Sequence, residues 1–284
     1  MTATRFSDLT DENDLTKAYR KWVRLVHPDT VTAQRRATAT QAMAKLADLY
    51  NNQGSRSNLF ASGDIAELYH GDGNTLIKVP RNPADNDLMI TEAEALHQLH
   101  HKGDPRFRAY APRLVDSFVH EDNERIRRNV NVIKRQRGMR SVHELKPDLV
   151  TGIWIWRRLL TAIGWAHRAG VVHGAVIESH VLIHLHDRGL VLVDWCYAGH
   201  RPQAIVKAAK PAYPPEVLKD KSASAATDIY MATGLMTRLL GAQMPQALRN
   251  FATGCSYDSP RMRPQDAWEL LAEFDEIIPQ RHRN

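Results

Sequence analysis

The stretch NNQGSRSN (51–58) constrains this chain more than any other. A run of polar, flexible and small residues builds no core, and such runs mark domain junctions. Before it, apolar residues recur at helical spacing. After it, short β-prone runs come first and long helical patterns follow. The chain is therefore expected to be α+β, with a small helical unit (1–54) ahead of a larger layered one. At 284 residues there is room for both, and 43% hydrophobic with 25% charged residues is ordinary for a globular protein.

No run of about 18 apolar residues occurs, so no helix is expected to span a membrane. The start, MTATRFSDLTDEN, is polar where a secretory signal needs an apolar segment. Cys196 and Cys255 are the two cysteines, far apart in sequence, which argues for a reducing, cytoplasmic setting over a disulfide scaffold. The net charge of +6 suits solubility or an acidic partner.

In the first unit, Leu15, Tyr19, Trp22 and Val26 form a stripe on one helix. Lys17, Arg20, Lys21 and Arg24 recur on a different face. A second helix is predicted over 33–51, with Met43, Leu46, Ala47 and Tyr50 toward the first. Between them Pro28 ends the first helix, because its ring cannot continue the hydrogen-bond ladder. The order KAYRKWVRLVHPDT, then KLADLYN, resembles the J-domain of the DnaJ co-chaperone family over about residues 5–53. That resemblance implies that His27, Pro28 and Asp29 trigger ATP hydrolysis by a DnaK-type chaperone, and that Lys17, Arg20, Lys21 and Arg24 dock on its acidic surface. The family's short first helix is poorly matched by RFSDL (5–9).

Past the break, strands are predicted near 58–60, 66–70, 75–79, 112–120 and 126–134, with GDGN (71–74) closing a hairpin. A helix is predicted over 87–101, and another over 151–170 in a mostly helical remainder. Within that frame LIKVP carries Lys78, TEAEALHQL carries Glu92, and LVLVDWCYAG carries Asp194. YPPEVL carries Glu216, TDIYMATG carries Asp228, and SPRMRP carries Arg263. Six such residues in this order resemble the protein-kinase fold over about residues 55–280. The resemblance implies a β-rich lobe (55–140) and a mostly helical lobe (141–284). It implies a Lys78–Glu92 pair aimed at nucleotide phosphates and Asp194 on magnesium. Glu216, Asp228 and Arg263 would be scaffold.

The departures from that family are chemical. Its glycine-rich loop reads ASGDIAEL (61–68), where only Gly63 is kept, and Cβ atoms obstruct close approach to phosphate. Within VVHGAVIESH (171–180), the family's catalytic Asp is replaced by Ala175, its Lys by Ile177 and its metal-binding Asn by His180. A positioned acid–base group contributes on the order of 10²–10⁴ in rate, and electrostatic stabilisers comparable factors. Losing all three points to a pseudokinase. Lys78, Glu92, Asp194 and Gly63 would either hold ATP with one magnesium, or Lys78, Glu92 and Asp194 would brace the interior without ligand.

Other patterns are weaker. His180, His184 and His186 are close in sequence, the last two expected on one strand face, where polar exposure competes with a metal site. Residues 124–140 hold seven basic side chains; Arg125, Arg127 and Lys134 would form a phosphate or acidic-peptide patch or a solvated face. No aromatic residues interleave them, which disfavours nucleic acid. Cys196 is expected to be a small buried side chain. The function expected is therefore a co-chaperone adaptor that recruits a DnaK-type chaperone to a client. The alternative is an atypical kinase-like phosphotransferase using ATP and magnesium.

Overall fold

A computed structural model describes residues 9–10, 15–27, 31–52 and 58–280. The fold is mixed α+β. The chain divides into two compact units: residues 1–62 with 67–70, and residues 63–66 with 71–284. The break expected around 54 falls largely on residues outside the described ones, as do Pro28 and Asp29.

In the first unit, α1 (Leu15–Val26) packs against α2 (Arg36–Asn52). Ala18 and Leu46 are buried at its centre, with Tyr19, Trp22, Val23 and Val26 packed around them. The predicted stripe is present and widened by Ala18 and Val23, which sit one residue from the expected positions and extend the apolar arc. Side chains of Leu15, Ala47 and Tyr50 lie outside the described residues. The Trp22 indole N–H donates to the Leu9 carbonyl (3.1 Å), tying the preceding chain to the helix. The ribbon of β1 (Leu59–Ser62) and β2 (Ala66–Gly71) pairs Leu59 with Tyr69 and Ser62 with Glu67.

β3 (Thr75–Pro80), β4 (Leu114–Glu121) and β5 (Arg127–Lys134) complete a five-stranded antiparallel sheet, ordered β1-β2-β3-β5-β4. The GDGN turn has Gly73 and Asn74 at φ +62° and +64°. Two successive positive φ values are the I′ geometry whose twist matches a hairpin, which is why Gly and Asn stand there. Helix α3 (Asn86–Lys102) buries Leu88, Met89, Leu96 and Leu99.

The helical part centres on α4 (Leu149–Arg168), capped by Asp148, whose carboxylate accepts from the Thr151 N–H. Trp156 on α4 is fully buried and meets Phe251 and Phe274, with ring centroids 5.4 and 5.1 Å away. Around it stand α5 (Pro215–Asp220), α6 (Ala225–Leu240), α7 (Gln246–Gly254) and α8 (Ala267–Ile277). A second, three-stranded sheet of β6 (Arg140–Ser141), β7 (Val181–His184) and β8 (Gly189–Leu192) was only partly legible in sequence. Its runs are too short to show a period. β7 ends at His184, so His186 shares no strand face with it; it lies in the following turn, bonded to Asp187 (2.8 Å). Among the described residues no helix is long and apolar enough to cross a membrane.

Candidate functional site

Cross-strand register builds the centre. Lys78 on β3 stands opposite Asn131 on β5, and both side chains reach α3. The Lys78 ammonium, almost wholly buried, donates to Glu92 Oε1 (2.8 Å) and to Asp194 Oδ1 (2.6 Å). Asn131 Nδ2 donates to Glu92 Oε2 (3.0 Å) and to the Met89 carbonyl (2.9 Å). Both Glu92 oxygens are therefore satisfied. Burial disfavours the Lys78 charge, but the Asp194 and Glu92 carboxylates outweigh it and raise the amine well above its ordinary value. For Asp194 burial pushes upward, and Lys78 first, then His180, hold the carboxyl well below the carboxylate range.

Asp194 follows β8 in left-handed backbone geometry (φ +61°, ψ +52°), which aims its side chain at Lys78. Side chains rarely adopt that region without a surrounding structure that compels it. Here the next residue is locked: Trp195 is fully buried, its indole N–H on the Leu192 carbonyl (2.9 Å). Asp194 Oδ2 faces His180 Nε2 at 3.5 Å. His180 Nδ1 donates to the Ala175 carbonyl (2.9 Å), and its ring stacks on Tyr197 with centroids 5.7 Å apart. The Tyr197 hydroxyl donates to Asp64, beside Gly63 in the turn between β1 and β2. Gly63 itself closes that turn through its N–H on the Ala66 carbonyl (2.8 Å). Burial, then the bond to Asp64, push the Tyr197 phenol far up, so it stays a donor.

The loop at 171–180 is held from below. Asp228, fully buried on α6, accepts from the backbone N–H of His173 and of Gly174 (2.8 Å each) and pairs with His167 Nε2 (2.9 Å). His173 Nδ1 accepts from the Ala175 N–H, so Nε2 carries the proton and donates to the Val193 carbonyl (3.0 Å). Ala175 is fully buried, and Ile177 and His180 nearly so. The loop thus presents an apolar interior and an imidazole already committed to the Ala175 carbonyl. No side chain at 175 can take a proton.

Burial lowers the His173 imidazole to about 4. Between about 6.5 and 4 the unfolded chain binds a proton there that the folded chain does not, so acidification destabilises the fold in that window. The contribution, fully present above pH 6.5, amounts to about 3 kcal/mol. Urea unfolding at a series of pH values should show this loss for the native protein and a shallower one for His173→Asn. Identical slopes for both would refute the assignment.

Arg263 forms a two-pronged pair with Glu216 (2.7 and 3.0 Å), stacks over Tyr230 and is buried, so it braces α5 against α6. Thr227 adds a bond to Glu216 (2.9 Å). On α1, Lys17, Arg20, Lys21 and Arg24 are exposed and with Leu25 line a basin of about 580 Å³. His27 follows directly and is half-buried. The patch expected on Arg125, Arg127 and Lys134 is largely engaged: Arg127 pairs with Glu121 (2.7 Å), and Lys134 donates to the Gly73 carbonyl (2.8 Å). Arg125 sits in the turn between β4 and β5 at φ +62°. Cys196 is buried, and burial raises its thiol well above the ordinary value.

Asn131, Tyr197 and Asp64 were missed in the sequence. Asn131 lay in a strand expected over 126–134, but which strand it would pair with, and in what register, was not readable. The donor set fits magnesium poorly. One Asp194 oxygen is engaged by Lys78, the other faces an imidazole, and imidazole suits softer metals. Among the described residues no group of three His, Cys, Asp or Glu side chains is placed to hold a metal ion. No protein-family model matches the chain, and no curated protein matches it.

Proposed function

We propose that this chain is a co-chaperone adaptor: a J-like hairpin that recruits a DnaK-type chaperone, and a kinase-like part that holds a client without transferring phosphate. The observation carrying the reading is the exposed row Lys17, Arg20, Lys21 and Arg24 on α1, ending at His27, opposite a partly buried apolar stripe packed on α2. Four cations on one face steer an acidic partner and set its register, at rates that fall with salt. Two further features support it. The sequence HPD follows the basic helix at the position the J-domain resemblance requires. The buried Ala175, Ile177 and His180 make 171–180 a scaffold segment bound to Asp228.

The test is ATPase stimulation of a DnaK-type chaperone by the full chain. Native protein should raise turnover in a concentration-dependent way, and His27→Gln should abolish the rise. Equal turnover with both proteins would end the co-chaperone reading. Label transfer from ATP that vanishes in both Lys78→Ala and Asp194→Ala would instead establish a phosphotransferase.

A further inference from the structure

Among the described residues β4 is the last strand of its sheet and is bonded to β5 alone of the strands. Edge strands are commonly short, bent, or guarded by Lys or Pro, because unpaired backbone groups recruit another strand. β4 has little of this. It runs for eight residues, LVDSFVHE, without Lys or Pro, and its irregularity lies at the start, between Leu114 and Asp116. Val115, Phe118 and Val119 are 48%, 44% and 59% exposed.

We infer that β4 pairs antiparallel with β4 of a second copy, about a two-fold axis at Phe118. The order of charges along the strand selects this partner and this register. Centred on Phe118, the pairing sets Phe118 against Phe118 and Asp116 against His120 twice, once on each side of the axis. Aromatic pairs and carboxylate–imidazole pairs directly opposite one another stabilise antiparallel ribbons. Shifting the axis toward Glu121 brings Asp116 against Glu121 or Asp122, a like-charge contact. Shifting it the other way leaves Asp116 against Val119 or Phe118. In the single copy Asp116 Oδ1 accepts from the Ser117 N–H (2.8 Å), a local bond that pairing exchanges for one to His120. The contact is self-complementary, so it closes at two copies and does not propagate.

Sedimentation of the full chain over a wide concentration range tests this. The native protein should show a monomer–dimer equilibrium. Phe118→Lys and Asp116→Lys should each weaken it by about tenfold or more, while circular dichroism stays unchanged. Asp116→Lys with His120→Asp should restore dimerisation, because the exchange re-forms both pairs. Phe118→Cys should cross-link on oxidation, since opposed residues lie roughly 4.5–5.5 Å apart and Cys196 and Cys255 are buried. A monomer at every concentration, a dimer indifferent to Phe118→Lys, absence of charge-exchange rescue, or growth past two copies would each overturn the proposal.

Discussion

Asp228→Ala is expected to lower the free energy of unfolding by about 3–5 kcal/mol. The carboxylate is fully buried and accepts three hydrogen bonds, two from the backbone of the 171–180 loop and one from His167. Bonds to a charged acceptor contribute roughly 1.5–3 kcal/mol each, and their sum is not additive. Removing the acceptor leaves the His173 and Gly174 N–H groups buried and unmet. Hydrogen exchange at amides 171–180, read alongside urea unfolding, should locate the loss in this loop. Asp228→Asn should recover little, because a carboxamide brings a donor toward donors. A loss below about 1 kcal/mol, or one spread evenly over the unit, would contradict the scaffold role.

Lys78→Met should cost a similar amount, about 3–5 kcal/mol, with no ligand present. Breaking one partner of a buried ionic group leaves the others uncompensated. Glu92 would keep only Asn131, and Asp194 would lose the cation that most depresses its carboxyl. The pH dependence follows from that depression. A carboxylate held below its unfolded value near 3.8 contributes stability above that pH and loses it as the pH falls toward the folded value. The gap between native protein and variant should therefore narrow below about pH 4. Pairing Lys78→Met with Glu92→Gln should recover part of the loss, since the two sites are directly coupled. A nucleotide held by Lys78 would instead add roughly 2.7 kcal/mol to the native protein at a hundredfold excess over its Kd. An internal brace predicts no such gain from ATP with magnesium, and destabilisation by Lys78→Met in its absence.

Both expectations rest on residues whose types were visible in sequence but whose company was not. Lys78, Glu92 and Asp194 lie 14 and 116 residues apart along the chain, and only strand register and the turn after β8 bring them within a hydrogen bond. Asn131 completes the group because it stands opposite Lys78 across two strands. A slip of one residue would have sent it to the other face. The histidine stretch shows the same limit. A period of two was expected to carry past His184, yet the strand stops there, so His186 belongs to a turn.

The sequence by itself determined the mixed α+β character, the extents of α3 and α4 to within a few residues, and the GDGN hairpin. These follow from local rules: helical spacing of apolar residues, and the demand of an I′ turn for Gly and Asn. It also determined that 171–180 lacks a proton acceptor at 175, since alanine has none in any fold. The tertiary structure decided what the loop's histidines and Asp194 do. His173 is buried neutral between Ala175 and Val193, His180 is committed to the Ala175 carbonyl, and Asp194 is clasped by Lys78. Each of these depends on contacts between residues distant in the chain, whose free energy is set by burial and geometry.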